Sequence, residues 1–474
     1  MDTEENLELL KKAQVGWFWT GGEQFIQRGL SMLVSLVLAR ILGPEAFGLI
    51  ASVAIFINIA QQLINGGISQ RVIQKKNAIE DDYLALFWSN LVASLGATAV
   101  LAVLSFPVAA YFSEPELMPI MIGLAVVLFI TNAGRVQEAK LTRQLAFKKL
   151  ALIQTAATFG GCIVGLVMVF SGYGVWALIG QQLMVAGLRW IMLIIFCPWM
   201  PRRLPAFHSV RDLYAFGLPV VTSQCLRSFA DQASSVMIAK YFSMGDLGFF
   251  NRGSLIPQNL GFSLQLILSR TTFPALSKVH GDPKALARLY THFLKLSGGM
   301  ASIIMTGLYM CATDVVVILL GDEWIQSVWY MRVSGIAYAI FIIYGCNLDL
   351  LKSIGRTKRL FLYNTITAVL QIAGVGLGWW FGGIKGIVLG DLAGRGIGCL
   401  IFMNGVSSVS SVQILDQIFI LLKVVASCIL FALVIFFIQQ GIPALVVRLL
   451  AVSVVGSIGL FLYWKWVGKS QELI

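Results

Sequence analysis

The chain has 474 residues, of which 58% are hydrophobic and 12% charged, with a formal net charge of +12. A water-facing globule carries about 25% charged residues, so this composition excludes a large soluble domain and places the chain among integral membrane proteins. The excess of base then asks which ends of apolar spans it flanks, and is not a nucleic-acid footprint.

Met1 to Gln14 is acidic and amphipathic, with Asp2, Glu4, Glu5 and Glu8 ahead of Lys11 and Lys12. It lacks the basic start, short apolar core and small-residue cleavage site of a secretory signal. The first apolar span is therefore expected to be an uncleaved anchor. About 20 apolar residues cross a bilayer as a helix. In chain order the sequence offers fourteen such spans: 16–42, 46–64, 84–111, 117–133, 151–171, 174–197, 213–241, 247–271, 291–320, 326–350, 360–381, 384–406, 414–438 and 443–464. Gly43-Pro44-Glu45, Ser113-Glu114-Pro115 and Gly441-Ile442-Pro443 punctuate them. The expected fold is all-α, with about fourteen transmembrane helices. Its expected organisation is a cytoplasmic amphipathic N-terminus over 1–15, a first six-helix lobe over 16–200 and a linker over 201–212. A second six-helix lobe follows over 213–407, and two further helices with a cytoplasmic tail occupy 408–474.

An even number of spans puts both termini on one side. If that side is the cytoplasm, the inner segments collect twenty-two of the 35 basic residues, including Lys75-Lys76, Lys148-Lys149 and Lys358-Arg359. The outer turns hold Lys385 and several acids, among them Glu45, Glu114 and Asp322. This is the positive-inside pattern, and it predicts cytoplasmic termini.

The chain resembles itself at an offset of about 200. Ala39-Arg40-Ile41-Leu42-Gly43 with Phe47-Gly48-Leu49 lies over Ala239-Lys240-Tyr241-Phe242-Ser243 with Leu247-Gly248-Phe249. Gln24 matches Gln224, and Ser35 matches Ser235. Spans 1 and 7 run in the same direction, so the repeat is parallel, with an expected pseudo-two-fold axis along the membrane normal. Spans 13 and 14 stand outside it.

Twelve basic residues lie in or near spans. Arg40, Lys240, Arg270 and Lys295 are near span ends, where a long side chain can snorkel to the interface. A deeper Lys or Arg costs about 2.5–3.5 kcal/mol at mid-bilayer on insertion scales, so it needs a wet cavity or a partner. Span 1 sets Gln24, Arg28, Ser31 and Ser35 on one helical stripe, with Glu23 and Gln27 beside it. Span 7 sets Gln224, Ser228, Asp231 and Ser235 on the equivalent stripe, with Arg227 beside it. Two such faces suit a central hydrophilic cavity, with Arg252 of span 8 as the next residue to line it. The alternative is a polar seam joining helices, with Arg227 satisfied by Asp231 one turn on.

In span 12, Asp391 and Arg395 stand at i, i+4 and read as a self-compensating pair. Gly386, Gly390, Gly394 and Gly398 read as a close helix-packing face. A nucleotide loop would need a strand before it, so ATP is not expected to bind. The seven cysteines are scattered without a CxxC pair, and the three histidines are far apart. They read as buried hydrophobes and loop residues, with no metal site and no cofactor expected. Outer turns of a few residues leave no room for the catalytic loop of a membrane glycosyltransferase or polymerase, so transport is favoured over catalysis.

Several segments carry a family resemblance: Leu38 to Leu49 at the end of the first helix, Gly66-Gly67-Ile68-Ser69-Gln70 after the second and Leu86-Phe87-Trp88-Ser89-Asn90 in the third. Leu247-Gly248-Phe249-Phe250-Asn251-Arg252-Gly253 and Phe273-Pro274-Ala275-Leu276-Ser277 complete the set. Together they resemble the polysaccharide transporter (oligosaccharide flippase) family of the multidrug/oligosaccharidyl-lipid/polysaccharide superfamily, nearest to its colanic acid and lipopolysaccharide exporter branch. The resemblance implies two six-helix lobes forming a V. It also implies transfer of undecaprenyl-diphosphate-linked oligosaccharide across the bacterial inner membrane by alternating access, without ATP. On that reading Arg28 and Arg252 hold the diphosphate, Arg227 and Arg270 assist, and Gln24 and Gln224 touch sugar or phosphate. Ser31 and Asp231 line the polar cavity. The implied partners are membrane lipid and a polysaccharide polymerase, with no nucleic acid, and a monomer suffices. Two rival readings stay open. One is a cation-coupled multidrug exporter of the same superfamily, which Glu23 and Asp231 would suit; the other is a membrane enzyme of polysaccharide assembly.

Overall fold

The computed structural model describes residues 3–65, 72, 79–205, 225–408 and 412–441, together with 452, 455, 456, 459 and 463. These residues are helical almost throughout, and no strand occurs among them. The elements are α1 Thr3–Asn65, α2 Glu80–Phe112, α3 Leu117–Ala133, α4 Arg135–Arg143, α5 Phe147–Phe170, α6 Trp176–Phe196, α7 225–241, α8 Met244–Lys278, α9 Pro283–Met310, α10 Ala312–Leu319, α11 Ser327–Ser353, α12 Thr357–Ser407 and α13 Ile414–Gly441. The chain divides into two compact units, Met1–Phe229 and Ala230–Ile474. Nine helices among the described residues are long and apolar enough to cross a membrane, and two of these are bent double spans. The protein is a multi-pass membrane protein.

Twelve of the first thirteen expected spans fall on a helix, and the seventh, 213–241, does so over its described part, 225–241. The fourteenth, 443–464, lies mostly outside the described residues. Three details differ from the sequence reading. Spans 1 and 2 form one helix bent at Gly43, whose φ of 72° and ψ of −180° lie in a region open essentially to glycine. Pro44 follows without an N–H to satisfy, as suits a helix start. Span 9 breaks at Cys311 into α9 and α10. The basic segment after span 4 is helix α4, which buries Val136, Ala139 and Leu141.

The helix ends are set by local chemistry. In α2, Glu80, Asp81 and Asp82 occupy the first turn, and Asp82 accepts from the Ile79 amide at 3.0 Å. Ser243 caps α8: its hydroxyl accepts from the Asp246 amide at 3.0 Å, while Asp246 accepts from the Ser243 amide at 3.2 Å. In α9, Asp282 accepts from the amides of Lys284 and Ala285, ahead of Pro283.

The repeat is visible in what each unit buries. Leu38 and Ala39 are fully buried, as are their counterparts Ile238 and Ala239 within 2%. Phe47 and Leu247 are buried as well. The chain breaks at Gly43 in one unit and at Ser243 in the other, 200 residues apart.

In the first unit, α5 packs on α1 and α6, and α3 packs on α2 and α6. The segment after α6 folds back on the unit. Trp199 donates from its indole to Glu80 at 2.6 Å, Arg203 pairs with Asp81 at 2.7 Å, and Lys140 lies over the Trp199 and Tyr83 rings. In the second unit, α11 packs on α8, α9 and α12. Helix α13 joins it through a buried polar knot in which the Tyr290 hydroxyl meets Asn347 and Gln417. Helix α12 is a hairpin bent at Gly382 and Gly383. A Cβ on Gly378 would stand 2.0 Å from the Gly386 carbonyl oxygen, and one on Gly374 would stand 2.3 Å from that of Gly390. The glycine run is therefore the packing face expected from its spacing.

Candidate functional site

Apolar helices can hold ionised side chains only where water or a partner compensates them. Each unit holds a cluster of paired charges.

In the first unit, Glu138 of α4 is gripped by Arg189 of α6 at 2.8 Å and Arg135 at 3.4 Å. Arg135 also donates toward Asn132 at 3.4 Å, and Gln61 pairs with Asn132 at 3.1 Å. Glu23 of α1 also interacts electrostatically with Arg189 and Glu138, so two carboxylates face two guanidinium groups. On α1 of the same unit, Gln24, Arg28 and Ser31 are all exposed along one stripe, and Glu23 accepts from Gln27 at 2.8 Å.

In the second unit, a small cavity of about 130 Å³ opens among α7, α8, α11 and α12. Arg395 of α12 bridges Asp391, one turn away at 2.9 Å, and Asp231 of α7 at 3.3 Å. Gln371 from the other arm of the hairpin donates to Asp391 at 2.8 Å and to the Ala230 carbonyl at 3.0 Å. Ser254 and Ser334 share a hydrogen bond of 2.8 Å across α8 and α11. Gln258 and Tyr338 both line the cavity. Phe262, Tyr338 and Phe341 meet edge to face at 5.1–5.9 Å and form an aromatic wall.

Of the residues expected from sequence, Gln24, Arg28 and Ser31 share the exposed stripe of the first unit. Arg227 and Asp231 sit one turn apart on α7, and Asp231 lines the cavity of the second unit. Gln224 lies outside the described residues. Arg252 is half-buried on α8, beside the cavity-lining Asn251, and Arg270 is exposed on the same helix. Eighteen residues separate Arg252 from Arg270, about 27 Å at helical rise, so the two cannot share one diphosphate. Arg395, Gln258, Ser334 and Tyr338 were not expected in the cavity. The Asp391–Arg395 spacing was the one signal for them; its third partner, Asp231, comes from a helix 160 residues away in sequence.

The sequence model of the family described as polysaccharide biosynthesis protein matches residues 37–329. The chain is 23% identical to the succinoglycan biosynthesis transport protein of Rhizobium meliloti (strain 1021) over 444 residues, covering 91% of this chain and 88% of that one. It is 24% identical to a lipopolysaccharide biosynthesis protein of Escherichia coli (strain K12) over 394 residues, covering 81% and 79%. Its fold is similar to that of a lipid II flippase solved in an inward closed conformation. The TM-score is 0.74 at 14% identity, with 95% of this chain and 99% of that one covered. The family match spans well over half of the chain and takes in the first bend, the Glu138 cluster and the α7–α8 part of the cavity, so this protein belongs to the polysaccharide biosynthesis protein family.

Proposed function

We propose that the protein is a flippase. It carries undecaprenyl-diphosphate-linked oligosaccharide repeat units across the bacterial inner membrane by alternating access, for surface polysaccharide synthesis. Both termini lie in the cytoplasm, as the distribution of Lys and Arg supports. The observation that carries the reading is the exposed stripe of Gln24, Arg28 and Ser31 on an otherwise apolar helix. A guanidinium pairs well with the oxygens of a lipid diphosphate. The relatives named for succinoglycan transport and lipopolysaccharide synthesis support the same substrate class.

In this reading Arg28 and Arg252 take the diphosphate and Arg227 assists. Gln24, Ser31, Gln224 and Asp231 meet sugar or phosphate. Arg270, a long way down α8, serves entry of the anion. The protein moves a lipid rather than catalysing a reaction, needs no cofactor and works as a monomer alongside a polysaccharide polymerase.

The test is surface polysaccharide in the native host deleted for this gene and complemented with variants. Arg28→Ala or Arg252→Ala should cut export about tenfold or more, the scale of one lost charged hydrogen bond, while Arg28→Lys keeps part of it. Normal export at normal protein level from both alanine variants would overturn the assignment. Drug resistance on overexpression would instead favour a multidrug exporter.

A further inference from the structure

We propose that the first unit binds a glycerophospholipid in a cavity between α2 and α6, and that it selects lipids whose headgroup donates a hydrogen bond. The proposal needs only that the chain spans a bilayer, and it does not depend on the flippase reading.

The cavity has a volume of about 200 Å³ and lies where α2 begins and α3 and α6 end. Phe87 of α2, Phe129 of α3 and Trp190 of α6, with Trp199 from the segment after α6, supply four rings to its lining. An empty space of about 150 Å³ admits benzene, so this one takes about eight non-hydrogen atoms, the size of a glycerol ester with the first carbons of its chain. Trp88, Trp190 and Trp199 stand at these helix ends, as in the aromatic belt that marks headgroup level in a bilayer. Beside the lining residues, Val92 and Leu95 of α2 and Ile191 and Ile195 of α6 are exposed. The flanking helices therefore present apolar surface along which an acyl chain continues.

Two buried amides narrow the choice of ligand. Asn90 and Gln137 line the cavity at 5% and 4% exposure. The Asn90 Nδ2 donor and the Gln137 Oε1 acceptor have no partner among the described residues, although Gln137 Nε2 donates to the Trp199 carbonyl at 3.2 Å. A buried donor and a buried acceptor left unmade are each costly and call for an occupant. A hydrocarbon chain answers neither. An ester carbonyl accepts from Asn90, and an ammonium or hydroxyl group donates to Gln137. Phosphatidylethanolamine and phosphatidylglycerol carry both functions. The quaternary ammonium of phosphatidylcholine has no N–H or O–H to give.

The lipid phosphate meets Lys140. Its ammonium lies 4.9 Å from the centroid of the Trp199 ring and 4.8 Å from that of Tyr83. The nearby carboxylates are engaged elsewhere: Glu80 by Trp199, Asp81 by Arg203, Asp82 by the Ile79 amide, and Glu138 by Arg135 and Arg189. Lys140 forms no ion pair with any of them, and a phosphate diester gives it a charged acceptor.

The experiment is native mass spectrometry of the full chain, delipidated in detergent and titrated with three lipids of identical chains: phosphatidylethanolamine, phosphatidylglycerol and phosphatidylcholine. The expected result is a retained lipid from the first two and about fivefold less from phosphatidylcholine, the scale of one neutral hydrogen bond. Asn90→Leu, which keeps the side-chain shape, and Gln137→Met should each lower retention of the first two by about the same factor. Lys140→Gln should lower retention of all three. In the wild type, a diazirine near the ester end of a phosphatidylethanolamine chain should label peptides within 84–95 or 190–201. That readout stands whether or not a variant folds. No retained lipid, which is the result for a cavity holding water alone, overturns the proposal. So do equal retention of all three lipids, labelling confined to other helices, and retention indifferent to both amide variants when these elute as the wild type does.

Discussion

The two units hold buried charge in opposite ways. The first surrounds one carboxylate, Glu138, with Arg135 and Arg189. The second surrounds one guanidinium, Arg395, with Asp231 and Asp391. Their repeat-related helices differ in the same sense. At matched positions Arg28 of α1 stands over Ser228 of α7, and Ser31 stands over Asp231. The packing positions barely differ, since Leu38, Ala39 and Phe47 are buried like Ile238, Ala239 and Leu247. Burial constrains size and polarity and so resists change. A polar stripe facing water tolerates either sign, so the two halves can share a scaffold yet differ in the charge they carry along it.

Breaking either triad at its centre tests this contrast most severely. Arg395→Met leaves two carboxylates facing each other and should destabilise the second unit by about 3–5 kcal/mol. Asp391→Asn added to it should recover part of the loss. Thermal unfolding followed with a thiol-reactive dye reports this, because Cys346 and Cys399 are free and buried in that unit, whereas Cys162 is buried in the first. Unchanged exposure of Cys346 and Cys399 on heating would refute the triad as a structural element.

A smaller effect is expected at the glycine seam, which among the described residues belongs to the second unit. Gly378→Ala puts a methyl group against the backbone oxygen of Gly386. Backbone cannot rotate away, so the cost should reach about 3 kcal/mol, the upper part of the overpacking range. Gly376→Ala, with open space around its Cβ, is the control and should be nearly silent.

The equivalent chain breaks give the finest comparison. Gly43→Ala forces a side chain into a strained backbone region and should cost about 2 kcal/mol. Ser243→Ala only removes a cap, worth about 1 kcal/mol. The same melting assay should rank them in that order; the reverse order would mean that the bend in α1 does not depend on glycine.

Much of the fold was legible in the sequence because a bilayer imposes long apolar runs, and wherever the first thirteen of those runs are described they are helices. The glycine face of α12 was legible for the same reason, as a spacing with one geometric meaning. The break at Cys311 was not, since neither Gly nor Pro marks it. Helix α4 was hidden because its basic residues looked like a loop flanking a span. The site was only half legible. Spacing along one helix gives Asp391 with Arg395, and it also separates Arg252 from Arg270. The joining of Asp231 to Arg395, or of Glu138 to Arg189, depends on how separate helices pack, which no local pattern encodes.

The hairpin of α12 has a consequence for how the protein is made. Gln371, Asp391 and Arg395 all belong to it and already bond one another. Its two arms meet backbone to backbone through Gly374, Gly378, Gly386 and Gly390, so they can leave the insertion machinery as a pair. Arg395 then enters lipid with its charge already answered by Asp391. Asp231, synthesised some 160 residues earlier, is not required for insertion and closes the triad afterwards. Asp231→Asn should therefore yield normally inserted protein, and Asp391→Leu should not.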